Sequence, residues 1–332
     1  MLTRYGKIEI ANSQPFSRHP NGFGISPYLQ EKLVFLGQSL VYEQAQVMAH
    51  QLLSLSIDAS QIYRLTTHYG AAIAPALQEC PPPLAAATDL LYVQVDGAML
   101  LTEDGYKENK LARFFAAQAL QASSSPERGG QITHSQYVAH LGSAADFIPH
   151  LRTYLDGFCQ PGQPVVFLSD GAPWLAQMMQ QHCPQARLIL DFFHALQQVA
   201  QVAKEAFAHE GRRAAWLETQ RISLLESQLD EVLVAIAALP VAQDLKSRVG
   251  QYLQTNRYRM DYQAYRKEVL LIGSGAIEAA HRTVVQARLK RSGQRWSVAG
   301  AQHVLNLRVC QMSERWQLVR QQIEPNHIEL AA

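Results

Sequence analysis

At 332 residues the chain can hold two or three domains and a sizeable core. Hydrophobic residues are 48 % and charged residues 17 %, the composition of an ordinary soluble protein, and a net charge of +1 excludes a chain that binds polyanions over its whole surface. The four cysteines, Cys80, Cys159, Cys183 and Cys310, form no Cys-x-x-Cys pair, which argues against a structural zinc and a disulfide framework, and the lack of a signal peptide or of a run of about 18 apolar residues makes the cytoplasm the expected location, with no membrane partner.

Residues 1–25 are polar and turn-rich, with a short strand expected at 5–10. From 27 to about 73 the pattern is helical. Leu29, Leu33, Leu36 and Leu40 recur at helix spacing, as do Ala45, Met48, Ala49 and Leu52. Asp58 or Ser60 is placed to cap a third helix carrying Ile62, Tyr63 and Leu65. This N-terminal region, 1–80, reads either as a helix-turn-helix or as a small helical bundle.

The prolines at 81–83 read as a linker. Strands are then expected at 90–96, 110–116 and 131–138, with a loop at 123–130. A helix fits 144–157, a strand 165–170, a helix 173–182 and a strand 187–191. Hairpin strands followed by strand–helix units predict an α/β fold, a mixed sheet with helices on its faces, over 88–195. No strand signal occurs from 195 to 265. Leu225, Leu229, Val232, Leu233 and Ile236 fit an amphipathic helix that Pro240 ends, so 196–267 reads as an all-helical insertion. The last part of the core is expected at 268–325.

Three carboxylates stand out. Asp96 ends the run Leu90-Leu91-Tyr92-Val93-Gln94-Val95, and Asp170 ends Val165-Val166-Phe167-Leu168-Ser169. A carboxylate at the tip of a buried strand is badly placed for packing and well placed for a site. Glu278 follows Ile272-Gly273-Ser274-Gly275-Ala276-Ile277. Three carboxylates can hold divalent cations, and two metals can clamp both oxygens of a phosphoryl transfer. Between His281 and Gln321 lie Arg282, Arg288, Lys290, Arg291, Arg295, Arg308, Arg315 and Arg320, with Glu314 the one acid. That local excess points to nucleic-acid phosphate. Lys107, Lys110 and Arg113 flank the first carboxylate and are further candidates.

The segment Gly273-Ser274-Gly275-Ala276-Ile277-Glu278-Ala279-Ala280-His281-Arg282, continuing through Arg288-Leu289-Lys290-Arg291-Ser292-Gly293-Gln294-Arg295-Trp296, resembles bacterial insertion-sequence transposases of the DDE class, in particular the ISKra-like group. Val93-Gln94-Val95-Asp96-Gly97 and Phe167-Leu168-Ser169-Asp170-Gly171 look like that group's first two motifs. Asp191-Phe192-Phe193-His194 is similar to the Asp-x-x-His signature of the Mutator-like superfamily. The resemblance covers roughly 88–312 and implies an RNase H-like fold. It implies a metal-binding catalytic triad of Asp96, Asp170 and Glu278, accessory roles for Asp191 and His194, and DNA contacts from Arg288, Lys290, Arg291 and Arg295. It further implies two magnesium or manganese ions, double-stranded DNA (element ends and target) as partner, a homo-oligomer on that DNA, and a nucleoid-associated place in the cytoplasm. An RNase H-like nuclease that cuts without joining, and a domesticated DNA-binding protein without catalysis, remain the alternatives.

Overall fold

A computed structural model of the chain describes residues 23–79, 81, 86, 88–121 and 130–324, together with a two-stranded antiparallel ribbon of Leu2–Thr3 and Gly6–Lys7. The strand expected at 5–10, the linker at 80–83 and the loop at 123–130 lie wholly or largely outside the described residues. The chain divides into two units. One comprises Met1–Glu79, Leu100–Lys107 and Val284–Ala332; the other comprises Cys80–Met99 and Glu108–Thr283.

In the first unit, helices α1 (Pro27–Ser39), α2 (Tyr42–Leu53) and α3 (Ala59–Ala72) follow the apolar spacing of the sequence. Proline opens α1, where its missing N–H costs nothing, and Asp58 caps α3 by accepting from the Ser60 N–H. Their shared core of Leu33, Val34, Ala45, Ala49, Ile62, Leu65 and Tyr69 also takes Leu307, Cys310, Val319 and Ile323 from the two C-terminal helices, Val298–Met312 and Gln317–Ile323. This departs from the expected boundary at 268–325: the chain from Val284 onward packs with the N-terminal helices. Its apolar residues explain why. Val304, Leu305, Leu307, Val309 and Cys310, with Asn306 and Arg308, are buried all round the axis of Val298–Met312, and a helix buried on every side needs cover on every side.

The second unit holds a five-stranded mixed sheet, except for the hairpin end Leu100–Lys107. Its strands are β1 (Leu91–Thr102), β2 (Gly105–Ala116), β3 (Gln136–Leu141), β4 (Val165–Ser169) and β5 (Arg187–Leu190), in the order β3-β2-β1-β4-β5. The β2–β3 pair is antiparallel, while β4 runs parallel to both β1 and β5. Side chains alternate between two cores. Leu91, Val93, Val95, Phe114 and Phe167 face α4 (Ala144–Phe158) and α5 (Pro173–His182). Tyr92, Phe115, Val166 and Leu168 face α6 (Phe192–Ala206) and the insertion helices α7 (Glu210–Leu225), α8 (Leu229–Ala237), α9 (Gln243–Asn256) and α10 (Tyr262–Lys267). Each such buried side chain contributes roughly 1.5–3 kcal/mol. After the insertion, α11 (Gly275–Ala280) runs into a π-helical turn at His281–Gln286 and a last helical turn at Ala287–Leu289. Among the described residues no helix is long and apolar enough to cross a membrane.

Three strands differ from expectation, β2 by starting at Gly105 and not at 110. β1 continues past Asp96 to Thr102, because it forms a hairpin with β2 through the turn at Glu103 and Asp104, closed by Thr102 Oγ1 donating to the Gly105 carbonyl at 2.6 Å. The strand expected at 131–138 divides: Gln131–Ile132 pairs with Leu120–Gln121 in a separate ribbon, and only Gln136–Leu141 joins the main sheet.

Helix α3 and Val298–Met312 approach each other tightly in the first unit, where a Cβ on Gly70 would stand 2.3 Å from the His303 carbonyl oxygen. Backbone cannot yield as a flexible side chain can. Gly70→Ala is expected to destabilise the protein by about 1–3 kcal/mol, read as a lower midpoint in urea with an unchanged slope.

Candidate functional site

Three parallel strands of the second unit end level with one another. Val95 of β1 lies opposite Ser169 of β4, and Ser169 lies opposite Leu190 of β5. The next residues along these strands are Asp96, Asp170 and Asp191. The register thus delivers three aspartates to adjacent positions at the carboxyl edge of the parallel strands, where α/β sheets collect ligands. β1 continues beyond Asp96, but its parallel pairing stops at Val95.

Each aspartate is held differently. Asp96 accepts from the Gly97 N–H at 2.8 Å, and its other oxygen lies 3.5 Å from Nε2 of His281. Burial pushes its carboxyl above the usual carboxylate range; His281 and the Gly97 N–H pull the other way, and repulsion from Asp170 adds to the rise. Asp170 accepts from the Ala172 N–H at 3.1 Å, while its carbonyl accepts from the Tyr252 hydroxyl of α9 at 2.7 Å. Gly171 follows at φ +96°, and a Cβ there would meet Leu190 Cδ1 at 2.9 Å and Tyr252 Oη at 3.0 Å. The Asp-Gly pair is therefore demanded both by backbone conformation and by room.

Asp191 is fully buried and caps α6. Its Oδ1 accepts from the His194 N–H at 2.6 Å and stands 3.1 Å from His194 Nδ1, whereas its buried Oδ2 has no hydrogen-bond partner. The hydrogen bond from Asp191 raises the His194 pKa against the opposing effect of burial, and the charges of Asp191, Asp96 and Asp170 raise it further. The Asp-x-x-His spacing therefore does two things: it starts a helix, and it places an imidazole within electrostatic reach of the other two aspartates.

Glu278 lies elsewhere in its contacts. It is exposed on α11 and accepts from Ser274 Oγ at 3.0 Å. The residue that reaches Asp96 from this part of the chain is His281, three positions later, with its side chain 4 % exposed. Sequence reasoning passed over His281, although a spacing of three from Glu278 puts both on one side of a helix. Among the described residues no three His, Cys, Asp or Glu side chains are grouped as metal ligands. Arg113 is a further structural member. It is buried on β2, its Nε donates to Ser135 Oγ at 3.0 Å, and its Nη1 donates to the Ala276 carbonyl of α11 at 2.7 Å. Neither it nor Lys110, whose ammonium pairs with Glu108 at 2.7 Å and donates to the Gly142 carbonyl at 2.8 Å, is the free cation expected for DNA.

The basic stretch belongs to the first unit and is corrected in one residue. Arg288 is 1 % exposed: its Nε donates to the Gly37 carbonyl at 3.0 Å, and its guanidinium stacks on Tyr42 and Trp296, 4.8 and 4.9 Å from the ring centroids. It is a core cation and not a phosphate contact. Helix ends at Leu289, so Arg291 and Arg295 do not continue a face that Arg288 begins. Lys290, Arg291 and Arg295 are exposed. Of the downstream arginines, Arg308 and Arg315 are buried and bonded to carbonyls of their own unit, and Arg320 pairs with Glu31 at 2.9 Å. Burial beside Arg288 and Arg291 lowers the Arg308 pKa to about 10.

Comparison with known proteins gives a family. The model described as "Uncharacterised protein family (UPF0236)" matches residues 87–322, and the chain belongs to that family. A "UPF0236 protein in vanSb 3'region" of Streptococcus gallolyticus is 21 % identical over 295 residues, which cover 86 % of this chain and 63 % of the relative. The chain thus spans less than two thirds of that relative's length.

The Asp191–His194 pair has a pH signature. Because the folded-state pKa of His194 is raised above the unfolded value of about 6.5, the stability it adds is fully present below that value and is lost as pH rises through the folded one. In chelator-containing buffer, His194→Gln is expected to lower the urea midpoint more at pH 5.5 than at pH 8.5. An equal loss at both values would remove the charged pair.

Proposed function

We propose that this UPF0236 member is a DDE-class transposase of an insertion sequence, with an RNase H-like core, that cuts double-stranded DNA at the element ends and joins the 3′-hydroxyls to target DNA. The observation that carries this reading is the end of the β1–β4 parallel pairing at Val95 and Ser169, which puts Asp96 and Asp170 next to each other on adjacent strands. The sheet order supports it. Hairpin strands come first, two parallel strand–helix units follow, and β1 lies in the middle, as expected of an RNase H-like core. So does the all-helical run from α7 to α10 that precedes Glu278.

The chemistry calls for magnesium or manganese, two ions in the full site. Asp96 and Asp170 fit by donor type and by place, as hard carboxylate oxygens side by side; Glu278 fits by donor type, its carboxylate bonded to Ser274. Held by these three, the cations would activate the attacking water or hydroxyl and neutralise charge on the leaving oxygen. The chain's other residues bind and orient. His281 stands beside Asp96, its Nε2 3.5 Å from Oδ2. Asp191 raises the His194 pKa and so favours the charged imidazole, which would donate to a phosphate oxygen beside the aspartates. The exposed Lys290, Arg291 and Arg295 supply phosphate contacts in the first unit. A homo-oligomer would bring two such sites to two element ends. The rival reading of a non-catalytic DNA-binding protein draws on one observation, the exposed Glu278 carboxylate accepting from Ser274.

Two measurements test the proposal. With magnesium and labelled duplexes carrying the inverted repeats that flank the gene, Asp96→Asn, Asp170→Asn and Glu278→Gln should each lower strand cleavage by more than about 100-fold while DNA affinity stays within about twofold. Asp191→Asn and His194→Ala should be milder. Cleavage retained in any one of the first three variants takes that residue out of the triad, and absence of cleavage by the wild-type chain favours the non-catalytic reading. Joined products separate a transposase from a nuclease.

Salt titration tests the basic loop. Each of Lys290→Ala, Arg291→Ala and Arg295→Ala should reduce the slope of log K against log salt by about one for each phosphate that the side chain neutralises. Arg288→Ala should leave the slope unchanged, since its guanidinium is engaged inside the unit.

A further inference from the structure

Phe193 sits between the two members of the Asp191–His194 pair and is 51 % exposed, whereas its neighbour Phe192 is 3 % exposed. A single exposed apolar residue is ordinary on a protein surface. What distinguishes this one is how firmly it is held and where. The Phe192 N–H donates to the Ile272 carbonyl at 2.9 Å, which ties the start of α6 to the segment leading into α11. The Phe193 ring then lies against Gly273, where a Cβ would stand 2.6 Å from Cε2 and 2.9 Å from Cδ2. The Phe192 ring also meets it edge-on, with centroids 5.5 Å apart and planes at 77°. The ring thus has two fixed neighbours while half of it faces solvent, on the first turn of the helix that Asp191 caps.

The chemistry of that position selects an occupant. The helix that carries Phe193 starts at Asp191, at the strand edge that also carries Asp96 and Asp170, and an uncharged planar ring adds no further charge there. Aromatic side chains accept nucleobases by stacking regardless of base identity, and a base that is already unpaired costs least to receive. We propose that Phe193 is a stacking platform for an unpaired base of the DNA handled at this site, and so a specificity-determining residue that favours frayed, mismatched or single-stranded positions over paired ones. The inference rests on the DNA-processing reading above and adds to it the kind of DNA end that the site prefers. Phe193 supplies rigidity that a mobile side chain would lack: the stacked geometry is set before the base arrives, so little order is lost on binding.

The test uses the full chain in chelator-containing buffer, so that no cleavage intervenes. The probes are two duplexes of the same sequence, one fully paired and one with 2-aminopurine in a short single-stranded overhang. The wild-type chain should bind the overhang duplex roughly tenfold more tightly and quench its 2-aminopurine fluorescence. Phe193→Ala and Phe193→Leu should lose both the preference and the quenching while keeping the affinity for paired DNA, and Phe193→Trp should retain both. Thermal melts of the variants show whether the fold is kept, and the paired duplex serves as internal control for any that melt early. Preference and quenching undiminished in Phe193→Ala would overturn the inference alone. So would wild-type behaviour of Phe193→Leu, which would make the ring a packing element against Gly273. If the wild-type chain binds neither duplex, the DNA-processing reading falls, and this inference with it.

Discussion

Three carboxylates at neighbouring strand ends repel one another, and much of the second unit can be understood as the means of holding them there. Charges one strand spacing apart, about 4.8 Å, repel by roughly 3 kcal/mol at an effective dielectric of about 20. The parallel register leaves the chain no choice about where Asp96, Asp170 and Asp191 emerge, so relief has to come from what surrounds them. Main-chain N–H groups take one oxygen of each, and imidazoles stand beside Asp96 and Asp191; the Asp96 pKa is raised, by burial first and by repulsion from Asp170 in smaller part.

The supports of this edge come from distant parts of the chain. Tyr252 of the insertion donates to the Asp170 carbonyl, and Tyr262 donates to the Leu190 carbonyl at 3.1 Å, one residue ahead of Asp191. Arg113 binds the first turns of α11 through Ala276. The insertion is therefore more than a spacer between the second and third acidic motifs: its hydroxyls fix the backbone from which two of the aspartates project. Burial drives the Tyr252 and Tyr262 pKa values upward, which keeps both hydroxyls protonated as donors over the whole physiological range.

The sheet was readable where a strand is buried on both faces. The runs ending at Asp96 and Asp170 are continuous apolar stretches, and continuous stretches mark the centre of a parallel region. The helix at 173–182 was also readable, since Pro173 opens it and the turn-forming Asp-Gly pair precedes it. Hairpin β1–β2 was read short because its outer half carries exposed and buried residues in mixture, where a period-2 pattern fades. Arg288 defeated sequence reading for a different reason. A guanidinium among basic neighbours looks like surface, and nothing local reveals that Tyr42, 246 positions away by numbering, offers its ring face from another helix. His281 was masked in the same way by the arginine beside it. The alignment of Asp191 with the other aspartates could not be deduced from its motif, because it depends on the pairing of β5 with β4.

The outermost strand on the β5 side carries a consequence for assembly. β5 is four residues long, begins at Arg187, which pairs with Glu268 across the molecule's surface, and has the turn at Arg257–Arg259 packed on it. A short, charged and partly covered border is a poor template for another chain's backbone. On the transposase reading proposed above, copies gathered on two DNA ends would not meet by extending the sheet through β5.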